Sequence, residues 1–168
     1  MESAVRLYSL SLKEIKTYLW ATLFIAGNLI LPQLCHYVGG GLVWQPIYFF
    51  TLIATYKYGI RVGLLTAILS PALNHLLFGM PPAVMLPEIL MKSVLLASLG
   101  AYTAHRLEKI SFWAIAGVVL AYQLIGILIS WGFTANTAQA LQGFRVAIPG
   151  ILLQILGGYA ILKAIAKL

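Results

Sequence analysis

The chain has 168 residues, of which 61% are hydrophobic and only 9% are charged, and its formal net charge is +7. A soluble domain carries about 25% charged residues, so this composition excludes an ordinary soluble protein. The apolar residues lie in tracts without Asp, Glu, Lys or Arg, and these tracts cover 17–56, 62–87, 110–144 and 146–162. Backbone polar groups in lipid have to pair within their own segment. We therefore expect an all-α polytopic membrane protein, whose basic charge reflects its topology in the lipid bilayer and not binding to nucleic acid.

These tracts predict six membrane-spanning helices in a single domain, because each crossing of a bilayer takes about 20 helical residues. In chain order, the predicted helices cover 16–33, 44–57, 60–78, 83–105, 111–132 and 146–164. The second predicted helix is short, so we expect it to be tilted or to begin earlier, near Gly41.

The basic residues predict how the helices are oriented. Cytoplasmic loops carry an excess of Lys and Arg, and nine of the eleven such residues fall on one side of the predicted helices. We therefore predict both termini in the cytoplasm, a location in the inner (cytoplasmic) membrane, and Cys35, the only cysteine, outside. Lys92 and Arg145 are the exceptions. The nine cations are Arg6, Lys13, Lys16, Lys57, Arg61, Arg106, Lys109, Lys163 and Lys167.

Polar and aromatic residues converge on the outer half of predicted helices 3 to 6. Glu88 and Lys92 lie four residues apart on one helix, so they share a face. Ionisable groups inside a membrane normally face a protein interior or a wet cavity. We predict that this set binds a solute in an outward-facing cavity, although Glu88 and Lys92 would equally suit a structural ion pair. The full predicted set is Glu88, Lys92, Asn74, His75, Gln123, Asn136, Arg145, Trp44 and Trp131.

Motifs that carry enzyme chemistry are missing from the sequence. It contains no phosphate-binding loop with a Lys-Ser or Lys-Thr pair, and it contains no Asp at all. Cys35 and His36 are adjacent, and two adjacent residues cannot supply a metal site alone. We therefore expect no enzyme, no metal and no cofactor. Gln154, near the middle of the membrane, we interpret as an interhelical hydrogen-bond donor.

Short motifs between the second and fourth predicted helices resemble those of a known family. They occupy 58–63 (YGIRVG), 70–71 (SP), 77–81 (LFGMP) and 86–88 (LPE), followed by small residues at 97–101. The glycine–proline turn before Leu-Pro-Glu is the most characteristic of them. In these motifs, and in its size, the chain resembles the substrate-binding S components of energy-coupling factor (ECF) transporters.

The resemblance implies a function and partners. Such proteins have six helices with both termini inside, and they bind vitamins or related micronutrients from outside. A transmembrane coupling subunit and two ATPase subunits energise them. The resemblance further implies that Gly39, Gly40 and Gly41 belong to a loop that gates the site. It implies docking through small residues, here Ala21, Ala26, Gly59 and Gly63. The family's Ala-x-x-x-Ala motif in helix 1 is altered here, because the residue four positions after Ala21 is Ile25 and not alanine.

Three other interpretations stay open at this point. The chain also resembles the cell-shape protein MreD, a membrane scaffold without a ligand. It could be a solitary transporter that works without the ATPase module. An intramembrane enzyme that uses Glu88 and His75 as a proton relay is a further alternative.

Overall fold

A computed structural model describes residues 7, 9–134 and 136–166 of the chain. These residues form an all-α protein, which confirms the predicted fold class at that level. Arg6 and Lys167, two of the predicted cytoplasmic cations, lie outside the described residues. The helices are α1 Ile15–Tyr37, α2 Gly41–Trp44, α3 Phe49–Tyr58, α4 Ile60–Phe78, α5 Leu86–Leu107, α6 Phe112–Thr134, α7 Thr137–Val146 and α8 Ile148–Ala164.

Three of these helices are long and apolar enough to cross a membrane. They are α1, α4 and the Phe112–Gly132 part of α6, and they indicate a multi-pass membrane protein. The other helices fall short for different reasons. Helix α3 has 10 residues, α8 has an apolar stretch of at most 17 residues, and α5 carries Glu88 and Lys92. The described residues therefore contain three candidate spans, and the six predicted spans stay a prediction.

Helix α3 is the centre of the helix packing. Nine of its ten residues are buried, and it contacts α1, α4, α5 and α8. A helix that is buried on all sides belongs to a protein core and not to a lipid-facing surface. This burial explains why an element far shorter than a bilayer crossing is stable, because its ends need not match the thickness of the hydrocarbon region.

The junction between α3 and α4 ties together segments that are distant in sequence. Gly59 adopts φ +89° there, a conformation that favours glycine, so α4 turns back directly against α3. Three side chains at this junction donate hydrogen bonds to remote backbone carbonyls: Tyr56 to Lys109 (2.8 Å), Lys57 to Ala166 (3.2 Å) and Arg61 to Leu10 (3.1 Å).

Two irregular backbone segments are relevant to the candidate site. Gln45 adopts a left-handed conformation, φ 45°, at the end of α2, and a 3₁₀ turn, Pro46–Tyr48, then leads into α3. Within α8, Leu153–Gly157 forms a π-helical turn. Turns of this kind are rare and occur frequently at functional sites.

Candidate functional site

A cluster of two buried amides, one half-buried amide and a buried tyrosine lies where the chain between α2 and α3 meets α6 and α8. We call Gln45, Tyr122, Gln123 and Gln154 the amide cluster. Gln123 Nε2 donates hydrogen bonds to Gln45 Oε1 (2.5 Å) and to the Tyr122 hydroxyl oxygen (2.8 Å). The Tyr122 hydroxyl donates in turn to Gln154 Oε1 (2.7 Å). One continuous hydrogen-bonded chain therefore connects three separate elements of the fold.

The irregular backbone places these amides. The left-handed turn at Gln45 directs the chain into the 3₁₀ turn, and the Gln45 side chain reaches α6. The π turn of α8 carries Gln154, which is fully buried, as is Tyr122. Buried amides in an apolar surrounding are costly unless they are hydrogen-bonded, so the network is a necessary part of this arrangement.

Glu88 and Lys92 of α5 form an ion pair that faces α6, the helix that carries Tyr122 and Gln123. Lys92 Nζ lies 2.5 Å from Glu88 Oε1, and the two side chains are 15% and 22% exposed, respectively. Gly126 of α6 makes room for the lysine, because a Cβ added there would lie 2.7 Å from Lys92 Cε. On the other side of the amide cluster, the buried ring of Tyr48 lies with its centroid 5.5 Å from that of Tyr122.

Asn74, a predicted ligand contact, donates hydrogen bonds to two backbone carbonyls of the described chain. Pro32 in α1 has no backbone N–H, so the Asn28 carbonyl four residues earlier loses its helical donor. Asn74 Nδ2 supplies that donor at 2.9 Å, and it also lies 3.1 Å from the Ser70 carbonyl. Asn74 therefore repairs a break in α1. His75 lies on the same helix, with its Nδ1 2.7 Å from the Pro81 carbonyl oxygen.

The remaining predicted contacts lie on the surface of the described part of the chain. Trp44 is 39% exposed and Trp131 is 50% exposed, and Asn136 and Arg145 are also exposed. The structure thus places Gln123 on the helix against which Lys92 packs, and it gives Asn74 and His75 partners within the described chain. The outward-facing cavity itself stays a prediction.

The predicted gating and docking residues have distinct surroundings. Gly39 adopts φ +75°, Gly40 is buried, and Gly41 begins α2. Among the predicted docking residues, Ala21 is only 3% exposed. Gly63 packs against α3, since a Cβ there would lie 2.5 Å from the Thr55 Cβ. Ala26 and Gly59 are the partly exposed members of the docking set.

Sequence reasoning missed much of the amide cluster. Gln154 does form an interhelical hydrogen bond, but its oxygen accepts from Tyr122, and its amide nitrogen has no partner among the described residues. Two other buried atoms in the described chain share this property, Asn74 Oδ1 and Ser93 Oγ. The sequence gave no sign that Gln45 belongs to the cluster, apart from its position before Pro46. Its left-handed backbone was not expected, because that conformation is uncommon at residues other than glycine.

An open groove of about 490 Å³ lies between α4, α5 and α6. Its lining is almost entirely apolar and includes Ile68, Leu90 and Ile125. The groove suits hydrocarbon and not a polar solute, and neither the ion pair nor the amide cluster lines it. Among the described residues, no group of three His, Cys, Asp or Glu residues could hold a metal ion.

Comparisons with protein-family models, with curated proteins and with solved structures found no match to this chain. The resemblance to S components rests on the sequence motifs alone and stays a prediction.

Proposed function

We propose that this protein is a membrane-embedded binding subunit for the uptake of a vitamin or related micronutrient. It would reside in the cytoplasmic membrane with six spans and both termini in the cytoplasm. A coupling subunit and two ATPase subunits would energise it. The S-component-like motifs at 58–63, 77–81 and 86–88 support this proposal.

The amide cluster is the observation that carries the proposal. Uncharged hydrogen-bonding groups within a multi-pass apolar protein are costly to bury, and polar residues inside a membrane usually serve a functional site. Tyr122, Gln123 and Gln154 form such a group, and each is at most 3% exposed. The helix that carries Tyr122 and Gln123 also packs against Lys92, at Gly126. A binding protein needs a group of this kind, whereas a scaffold does not.

The surface proposed for the coupling subunit is the exposed face of α1. Leu19, Leu23 and Ile30 are 63%, 57% and 60% exposed, and they follow one another at intervals close to whole helical turns. Because Ala21 points into the chain's own core, close approach by a partner would rely on this face and on Ala26.

A ligand-free scaffold resembling MreD is the second candidate. The full burial of Tyr122 and Gln154 favours it, since the hydrogen bonds from Gln123 through Tyr122 to Gln154 Oε1 are made without a solute. In that case the amide cluster would only fix the packing of α6 and α8 against the chain before α3.

Native mass spectrometry of the purified protein tests the proposal. We expect a co-purified small molecule in the native chain and a lower occupancy in a Tyr122→Phe variant, because this change removes the hydroxyl that joins Gln123 to Gln154. Tyr102→Phe is the matched control, because Tyr102 is 61% exposed. A native chain that carries no small molecule, from cells grown with a full vitamin supply, would favour the scaffold.

A further inference from the structure

A series of ring contacts joins the start of α6 to the end of α8 at the surface of the molecule. The Phe112 ring lies edge-on to Tyr159, with centroids 5.7 Å apart, and edge-on to Trp113 at 5.4 Å. The Lys163 ammonium lies 5.5 Å from the centroid of the Tyr159 ring, a distance at which an aromatic face attracts a cation. Trp113 is 80% exposed, and Lys163 is exposed as well. We call these four residues the aromatic–cation surface.

No carboxylate of the described residues pairs with Lys163. The described acidic residues are Glu14, Glu88 and Glu108, and none of them forms an ion pair with this lysine. Glu88 pairs with Lys92 instead. An anion from outside the chain can therefore approach the Lys163 ammonium without displacing a carboxylate of these residues.

Exposed apolar stripes run from the aromatic–cation surface along both helices. Residues three or four positions apart share one face of a helix, and the exposed residues at such intervals are Trp113, Gly117, Leu120 and Leu124 on α6 and Leu156, Ala160 and Lys163 on α8. The three leucines are 43–57% exposed. From Trp113 to Leu124 the α6 stripe is about 16 Å long, close to half of a bilayer's hydrocarbon thickness. The stripe therefore matches the depth of one lipid leaflet.

A phospholipid presents its groups in the same order as this face of the molecule. Its phosphate lies at the membrane interface, the level at which tryptophan is enriched, and its acyl chains extend from there into the hydrocarbon region. Basic side chains favour lipids with a net negative charge, because the phosphate of a zwitterionic lipid already has a cation within its own headgroup. A water-soluble phosphate would contact Lys163 but leave both apolar stripes uncovered.

We propose that the aromatic–cation surface binds an anionic phospholipid. The Lys163 ammonium contacts the lipid phosphate, the exposed ring of Trp113 packs beside the glycerol region, and the stripes of α6 and α8 hold the acyl chains. This inference goes beyond the proposed function and does not depend on it, because a micronutrient-binding subunit and a ligand-free scaffold would both carry such a site.

Titration of the detergent-solubilised protein with phosphatidylglycerol and phosphatidylcholine of identical acyl chains tests the proposal, with bound lipid counted by native mass spectrometry. We expect tighter binding of phosphatidylglycerol. Lys163→Gln should weaken that binding about fivefold, the factor that corresponds to one lysine near an anionic lipid surface. Lys163→Arg, which keeps the charge, should retain it. Lys16→Gln is the matched control, because it removes the same charge from an exposed position on α1 and should leave the affinity unchanged.

Four results would overturn the proposal. Equal affinity for the two lipids would exclude recognition of the anionic headgroup, and unchanged affinity in Lys163→Gln would exclude this lysine as its partner. Equal weakening in Lys16→Gln would show a general attraction to the basic protein and not a site. Glycerol 1-phosphate that displaces phosphatidylglycerol at equal concentration would identify a soluble phosphate as the occupant, because the acyl chains would then contribute nothing.

Discussion

At the scale of single residues, the ion pair of Glu88 and Lys92 is the group whose role is easiest to measure. Each side chain is largely buried. The charge of each compensates that of the other, with Lys92 Nζ 2.5 Å from Glu88 Oε1. Neutralising one partner leaves the other charged and poorly solvated. We expect Glu88→Gln or Lys92→Met alone to lower the free energy of unfolding by about 1–3 kcal/mol. The combined change should recover most of this loss, because it leaves no orphaned charge.

The same variants measure whether the pair contacts a ligand. If the pair is only structural, the combined variant should carry the molecule that co-purifies with the native protein, at the same occupancy in native mass spectrometry. Glu108→Gln serves as the control, because Glu108 is exposed and should affect neither property. If single neutralisations leave unfolding unchanged while ligand binding is lost in the combined variant, then the pair contacts the solute directly.

At the scale of elements, the proline in α1 and the asparagine in α4 form a testable unit. Asn74 donates to the Asn28 carbonyl, which Pro32 leaves without a helical donor. Asn74→Ala should therefore cost about 1–3 kcal/mol of unfolding free energy. In a Pro32→Ala background the residue at 32 has its own N–H, so the cost of Asn74→Ala should fall by about 1 kcal/mol.

The design of this double-mutant cycle removes other contributions. The hydrogen bond from Asn74 to the Ser70 carbonyl is present with either residue at position 32. Its contribution therefore cancels when the two costs of Asn74→Ala are subtracted. Pro149→Ala, near the start of α8, provides a background in which no coupling to Asn74 is expected. Equal costs of Asn74→Ala with and without Pro32 would show that Asn74 does not repair α1.

Hydropathy anticipated the regular helices more accurately than the irregular segments between them. The third predicted helix, 60–78, coincides with α4, whereas the first, 16–33, ends four residues before α1 does. Helix α1 continues past Pro32 because a side chain from another helix restores the missing donor, and local sequence carries no sign of that contact. The predicted span 44–57 is in fact α2, a 3₁₀ turn and α3.

The candidate site was predictable only in part for the same reason. The spacing of Glu88 and Lys92 correctly indicated a shared face, while the role of Gln123 in binding stays a prediction. Helix α7 was missed because its ten residues, which include glutamines and Arg145, form no long apolar run. The π turn at Gln154 depends on packing against α3 and α6, for which the sequence has no local signature.

At the scale of the whole molecule, the role of the short helix α3 separates the six predicted membrane crossings from the three candidate spans. At about 1.5 Å per residue, ten residues span about 15 Å, half of a bilayer's hydrocarbon thickness. The tight turn at Gly59 nevertheless makes α3 and α4 neighbours that run in opposite directions. Because α3 is enclosed by protein, the chain can return across the membrane through α3 and the turn before it. The enclosure of α3 is therefore compatible with six crossings, which stay a prediction beside the three candidate spans.

Labelling with a membrane-impermeant thiol reagent distinguishes six crossings from three. In a Cys35→Ser background, single cysteines replace the exposed residues Tyr37, Val84, Glu108 and Lys163. With the amino terminus inside, six crossings place Tyr37→Cys and Val84→Cys outside, where intact cells are labelled, and keep Glu108→Cys and Lys163→Cys protected. If only α1, α4 and α6 cross, Val84→Cys is protected and Lys163→Cys is labelled, while the other two are unchanged. Permeabilised cells, in which all four positions should react, show that protection reflects sidedness and not burial.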